Sequence, residues 1–271
     1  MENNVLVYAA TNEQGYGSGI FMLDELFHQP IKIDERDTLI AVNSLASHDN
    51  VLYDSWFQVG KTLSGNIDSK RDGLYGRPHR SQAIASHNDK LYESSWDECL
   101  YERLTGDALE GILIEADGNP TFPHYSQQAI VERSNLITDL VSHNDDLYDA
   151  GGYGVLNTFS GEEISDRTTF HLASDKGTLY GSGPGISDWP ENEIYEILTA
   201  SCRPTEIRIA YRSSETRALV SHRRRLYDAG NYGILDTMLN QIREDSIVPH
   251  SHVSAMASVP RKIFEEAGIL K

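Results

Sequence analysis

Four histidines occupy one recurring position of the chain. Each closes a tetrapeptide of an aliphatic residue, Ala or Val, and Ser: Leu45-Ala46-Ser47-His48, Ile84-Ala85-Ser86-His87, Leu140-Val141-Ser142-His143 and Leu219-Val220-Ser221-His222. Asp175 takes the same place in Leu172-Ala173-Ser174-Asp175, and Val259 takes it in Met256-Ala257-Ser258-Val259. Imidazole nitrogen and carboxylate oxygen are common ligands of zinc and other divalent ions. His48, His87, His143, Asp175 and His222 are therefore the candidate metal ligands. The same residue types build hydrolytic triads, but a nucleophilic site needs one singular constellation with an oxyanion hole. A pattern repeated along the chain points to structure instead, each His bonding backbone or an Asp of a neighbouring unit. No catalytic residue is assigned on this reading and no cofactor is expected, a divalent metal at the histidines being the alternative.

The elements that position these residues follow from the rest of the repeat. Five residues beyond each copy stands an aromatic, Tyr53, Tyr92, Tyr148, Tyr180, Tyr227 or Phe264, preceded by an aliphatic residue. A carboxylate follows in most copies, as Asp54, Glu93, Asp149, Asp228 and Glu265, with Gly181 the exception. Between the two apolar stretches lie Asp49-Asn50, Asn88-Asp89, Asn144-Asp145 or Lys176-Gly177, types that tolerate the positive φ of a tight hairpin turn. Each copy thus predicts a two-stranded hairpin. Val155-Leu156-Asn157-Thr158 and Ile234-Leu235-Asp236-Thr237 predict third strands, and Ile207 to Tyr211 a fourth. The second-strand carboxylates, with Ser and His nearby, are expected to form a cluster that locks each unit. Trp56 and Trp96 are expected to fill space between units.

The copies recur at spacings of 39, 56, 32, 47 and 37 residues, and a unit of about 40–50 residues with four strands is the size of a propeller blade. The chain resembles the β-propeller repeat superfamily: Leu-Tyr-Asp-Ala-Gly, at 147–151 and 226–230, is similar to the second-strand motif of quinoprotein-like and WD40-like propellers. What the resemblance implies is an all-β fold, a single six-bladed propeller of four-stranded antiparallel blades over residues 1–271. Val5 to Thr11 reads as a second strand lacking its first, and Val253 to Ser258 as an innermost strand. One blade would then be closed by the two ends of the chain, which hides the free sheet edge. Ile263-Phe264-Glu265 also mimics a second strand, which would start a seventh blade; Pro260 and Gly268 around it equally suit a short helix.

Acidic residues outnumber basic ones 41 to 23, for a net charge of −18, so nucleic acid and anionic membrane are poor partners. Two cysteines outside any CxxC motif argue against a disulfide framework, and the first residues lack the features of a leader; a cytoplasmic location is the expectation. Function is expected where the repeat is broken. The stretch from Gly181 to Glu193, with Asp188 and Trp189, and the stretch from Asp117 to Tyr125, with His124, each carry aromatic or imidazole groups on a predicted loop. Loops on a rigid scaffold are where binding groups concentrate, so Trp189, Asp188, His124 and Tyr125 are the candidate ligand contacts. A non-catalytic scaffold for protein or peptide partners is the first reading. A metal-assisted hydrolase, lactonase or lyase at a central channel, as in several six-bladed propellers, and a glycan-binding propeller are the alternatives.

Overall fold

A computed structural model describes residues 4–10, 19–23, 30–35, 42–55, 59–63, 81–103, 113–114, 120–121, 129–185, 192–201, 203–239, 246–248, 250 and 252–270. Strands β1 (Asn4–Ala10), β2 (Gly19–Leu23) and β3 (Pro30–Glu35) form a sheet completed by β24 (Val253–Pro260), in the order β24-β1-β2-β3. Next come β4 (Ser44–His48), β5 (Val51–Ser55) and β6 (Val59–Leu63), then β7 (Ser81–His87), β8 (Lys90–Ser95) and β9 (Cys99–Arg103). A short hairpin of β10 (Leu113–Ile114) and β11 (Pro120–Thr121) precedes β12 (Val131–Glu132), which pairs with β9. The following sheet is β13 (Ile137–His143), β14 (Asp146–Gly151), β15 (Gly154–Asn157) and β16 (Glu163–Ser165). After it come β17 (His171–Asp175), β18 (Thr178–Pro184), β19 (Asn192–Leu198) and β20 (Arg208–Arg212). The last is β21 (Thr216–His222), β22 (Arg225–Gly230) and β23 (Gly233–Asp236). One helix, α1 (Arg261–Glu266), follows β24.

The arrangement is a β-propeller. Neighbours within each sheet pair antiparallel, and among the described residues four sheets have four strands while β4–β6 and β21–β23 have three. The innermost strands touch in the order β4, β7, β13, β17, β21, β24, and β24 returns to β4. Closure comes from the chain ends: β24 pairs along the whole of β1, from Asn4 opposite Pro260 to Ala10 opposite Val253.

The local reasons are those in the repeat. Both central residues of the hairpin turns have positive φ at Asp49-Asn50, Asn88-Asp89, Asn144-Asp145 and Lys176-Gly177, and also at Arg223-Arg224, the signature of the turn that matches strand twist. The glycine ending the second-strand motif has a separate cause. A Cβ on Gly151 would lie 2.4 Å from the Leu136 carbonyl oxygen, and one on Gly230 would lie 2.3 Å from that of Glu215. The chain entering each inner strand passes too close for any side chain there.

One open alternative is decided and two expectations are corrected. Ile263, Phe264 and Glu265 lie in α1, with Pro260 at its N-cap and Gly268 at φ +70° past its end, so they start no further blade. Proline fixes the entry to the helix and glycine permits its left-handed exit. Gly181 to Pro184 is not loop but part of β18, where Gly181 makes room for Ile197 and Thr169. The two tryptophans divide: Trp56 lies outside the described residues, and Trp96 is 52% exposed rather than packed between sheets.

Candidate functional site

The repeated histidines are latches between sheets. His48 Nδ1 lies 2.9 Å from the Ser86 hydroxyl of the next inner strand, His87 Nδ1 2.9 Å from Ser142, His143 Nδ1 2.9 Å from Ser174, and His222 Nδ1 3.0 Å from Ser258. At the fourth junction Ser221 Oγ donates to Asp175 Oδ1 at 2.7 Å. Asn88 and Asn144 donate to Nε2 of His87 and His143, so in these two rings Nδ1 carries the proton and donates to serine. Burial lowers the pKa of both, against the pull of Asp146. The partner at Nδ1 is thus the serine of the neighbouring tetrapeptide, rather than the expected backbone group or Asp of a neighbouring unit.

Val259 has no polar atom to offer at the remaining junction. There Val259, Ile263 and Phe264 share one buried apolar cluster with Val42, Leu45 and Leu52, so helix α1 packs over the seam where a latch is missing.

Two of the second-strand carboxylates, Asp149 and Asp228, are held separately, by arginines from the preceding sheet. Arg212, at the end of β20, grips Asp228 through Nε–Oδ2 at 2.5 Å and Nη2–Oδ1 at 2.6 Å, with both side chains fully buried. Tyr232 and Thr237 hydroxyls donate to the same carboxylate. Arg133, just past β12, clamps Asp149 in the same bidentate way, with Tyr153 as the further donor. Where Gly181 replaces the carboxylate, Glu193 on β19 supplies it: Arg167 Nη2 reaches Glu193 Oε2 at 2.5 Å, and its guanidinium lies 3.7 Å from the centre of the Tyr195 ring. The expected Ser/His/Asp cluster is therefore two devices, since the short serine reaches only the adjacent latch while the deeper carboxylate needs arginine to offset its burial.

Of the candidate metal ligands, His48, His87, His143, Asp175 and His222 sit at equivalent positions, but each faces the next strand's serine rather than one another. Among the described residues no group of three or more His, Cys, Asp or Glu side chains could hold a metal ion. Trp189, Asp188, His124 and Tyr125 lie outside the described residues.

A different constellation lines the axis. The inner strands surround a channel of about 300 Å³. One residue before the repeated aliphatic, four strands carry Ser44, Ala83, Ala218 and Ala255, while β13 and β17 carry Asp139 and His171. Asp139 Oδ1 accepts the Leu140 N–H at 2.8 Å and Oδ2 accepts the Leu172 N–H at 2.7 Å, so its carboxylate bridges two sheets. His171 Nδ1 stands 4.0 Å from Asp139 Oδ2. Burial pushes Asp139 up to about 7 although the two backbone donors oppose the rise. Burial likewise pushes His171 down to about 4, with the Arg217 charge adding to the fall and a hydrogen bond to the Thr216 backbone resisting it. Arg217 of β21 also borders the channel. Aligning the copies one residue further upstream exposes this acid and base as the two exceptions in a column of Ser and Ala; the tetrapeptide alone hides them.

No family model matches the chain, and no curated protein matches it. Among solved structures, the chain is similar to one described as an oxidoreductase (glucose dehydrogenase), from Thermus thermophilus. It is 11% identical over 71% of this chain and 77% of that one, at a TM-score of 0.49. A chain of the mitotic checkpoint complex is 14% identical over 78% of this chain and 66% of its own length, at a TM-score of 0.46.

Proposed function

We propose that residues 1–271 form one six-bladed propeller that serves as a non-catalytic, cytoplasmic scaffold for protein or peptide partners. The closed order of six inner strands supports the blade count. The binding reading rests chiefly on one observation. Phe159 is 50% exposed and Leu239 74% exposed, and they occupy equivalent turns after β15 and β23. Phe159 lies over the hairpin end of the neighbouring sheet, its ring 5.7 Å from Tyr92 and 6.2 Å from His87. Apolar groups held out on a rigid frame mark interaction surfaces when they recur on one face. The recurrent polar residues with the chemistry for catalysis are occupied in latches and clamps. A net charge of −18 favours partners that are not polyanions.

Affinity capture with the wild-type chain and with a Phe159→Ser, Leu239→Ser double variant tests this reading, followed by calorimetry with each recovered partner after purification. A partner bound by the wild type and lost by a variant of unchanged melting temperature supports the scaffold. Partners bound equally by both chains would remove this face from the reading. Stoichiometric metal in protein purified without an affinity tag, lost in His87→Ala and His143→Ala, would favour the metal-assisted enzyme instead.

A further inference from the structure

We propose that the channel mouth framed by Asp139, His171 and Arg217 binds a small zwitterion of the α-amino-acid class, with an aliphatic side chain directed along the channel. This site is separate from the exposed apolar face and does not depend on that reading. Asp139 and His171 both line the channel and keep spare hydrogen-bonding capacity. A carboxylate offers about four lone-pair sites, and two backbone N–H groups occupy one on each oxygen of Asp139. In the neutral His171 ring one of the two nitrogens is an acceptor. At 4.0 Å, Nδ1 and Asp139 Oδ2 are too far apart for a direct hydrogen bond and close enough to share a donor placed between them. A primary ammonium, with three N–H donors, fits this requirement and meets the carboxylate with opposite charge.

Arg217 supplies the other pole. It borders the channel, its side chain is 39% exposed, and its ion pair among the described residues is a loose one to Glu215 at 3.6 Å. A guanidinium fork matches a carboxylate in two-point geometry. A sugar would satisfy the acceptors and leave this cation without a counter-ion, whereas a dicarboxylate would set one of its charges against Asp139. The channel's volume of about 300 Å³ is at the small end of ligand pockets, and a lining made largely of Ser, Ala, Leu and Val residues suits a short aliphatic group.

Isothermal calorimetry at pH 8 with three probes tests each pole. L-leucine carries both charges, isopentylamine only the ammonium, and N-acetyl-L-leucine only the carboxylate. Saturable L-leucine binding is expected, with each single-charge probe weaker by about tenfold or more, the scale of one lost charge-assisted bond. Arg217→Gln, at a partly exposed side chain that leaves the fold intact, should weaken L-leucine by a similar factor and leave isopentylamine unchanged. Asp139→Asn should weaken L-leucine and isopentylamine together and spare N-acetyl-L-leucine. The proposal fails if none of the standard α-amino acids binds up to about 10 mM. It fails equally if Arg217→Gln binds L-leucine as the wild type does.

Discussion

His143 Nδ1 and the Ser174 hydroxyl, 31 residues apart, meet at 2.9 Å across the junction of two sheets. The same bond recurs at three other junctions, and a carboxylate replaces the imidazole at a further one. A residue that is repeated in sequence therefore plays a repeated structural role. It ties an inner strand to the next at four of the six junctions.

Replacing one of these histidines with Ala leaves a half-buried or, at Ser142, an exposed serine hydroxyl without its partner, which costs about 0.5–1.5 kcal/mol. The losses at His87 and His143 should be similar, because the partner types and distances are the same and both rings are buried. Chemical denaturation of the two single variants and the double variant measures this. Independent, additive losses are expected, since the latches share no residue. A large loss at one histidine with none at the other would mean that the bond is not the source of the effect.

The Arg212–Asp228 clamp is a fully buried ion pair, and such pairs punish the removal of one partner more than the removal of both. Asp228→Asn should destabilise by about 3–5 kcal/mol, and Arg212→Met by a comparable amount. Combining Arg212→Met with Asp228→Leu should recover part of the loss, because neither charge is then stranded, although the Tyr232 and Thr237 hydroxyls still lose an acceptor. Urea denaturation of the three variants decides the point; a double variant as unstable as the sum of the singles would contradict it.

Much of this frame was legible in the residues. Positive-φ turn pairs, alternating apolar strands and the tetrapeptide place the hairpins, because these signals are local and repeated. The clamps were hidden because Arg133 and Arg212 lie outside the repeated motif, on outer segments whose reach across a junction depends on tertiary geometry. Asp139 and His171 were hidden for another reason: each is single, and a motif defined by agreement among copies discards the position where two copies depart. The helical fate of Ile263-Phe264-Glu265 was open because an aliphatic–aromatic–acid triplet suits either a strand or one turn of helix, and the flanking Pro260 and Gly268 decide it.

Helix α1 closes the seam that lacks a latch. Phe264 is fully buried in a cluster that joins both sides of the junction between β24 and β4. Phe264→Ala should cost about 3–5 kcal/mol through lost burial and the cavity left behind. Hydrogen exchange should rise first in β4, β1 and β24, the strands flanking that seam, before it rises in β13 and β17, which are latched. Uniform acceleration across all sheets would show instead that the ring opens as one unit.

The channel pair makes the sharpest prediction for pH. Asp139 titrates near 7 in the folded chain and its unperturbed value is 3.8, so folding favours its protonated form. Its contribution to stability is complete below about pH 4 and is lost as pH rises through about 7. His171 behaves oppositely: it titrates near 4 when folded against 6.5 when unperturbed. Its contribution is complete above about pH 6.5 and is lost as pH falls through about 4. Between these limits the folded chain holds the proton on Asp139 while the unfolded chain holds it on the histidine. The two groups then bind the same total in both states, and their slopes cancel. Asp139→Asn removes one side of the balance, so its stability relative to wild type should rise as pH goes from about 4 to about 6.5. His171→Gln removes the other, so its relative stability should fall over the same range. Arg217 and Glu215, the charged neighbours, are unchanged in both variants and drop out of the comparison. Denaturation midpoints for the three chains at closely spaced pH values provide the measurement. Parallel profiles for all three would show that Asp139 and His171 do not titrate against each other in the channel.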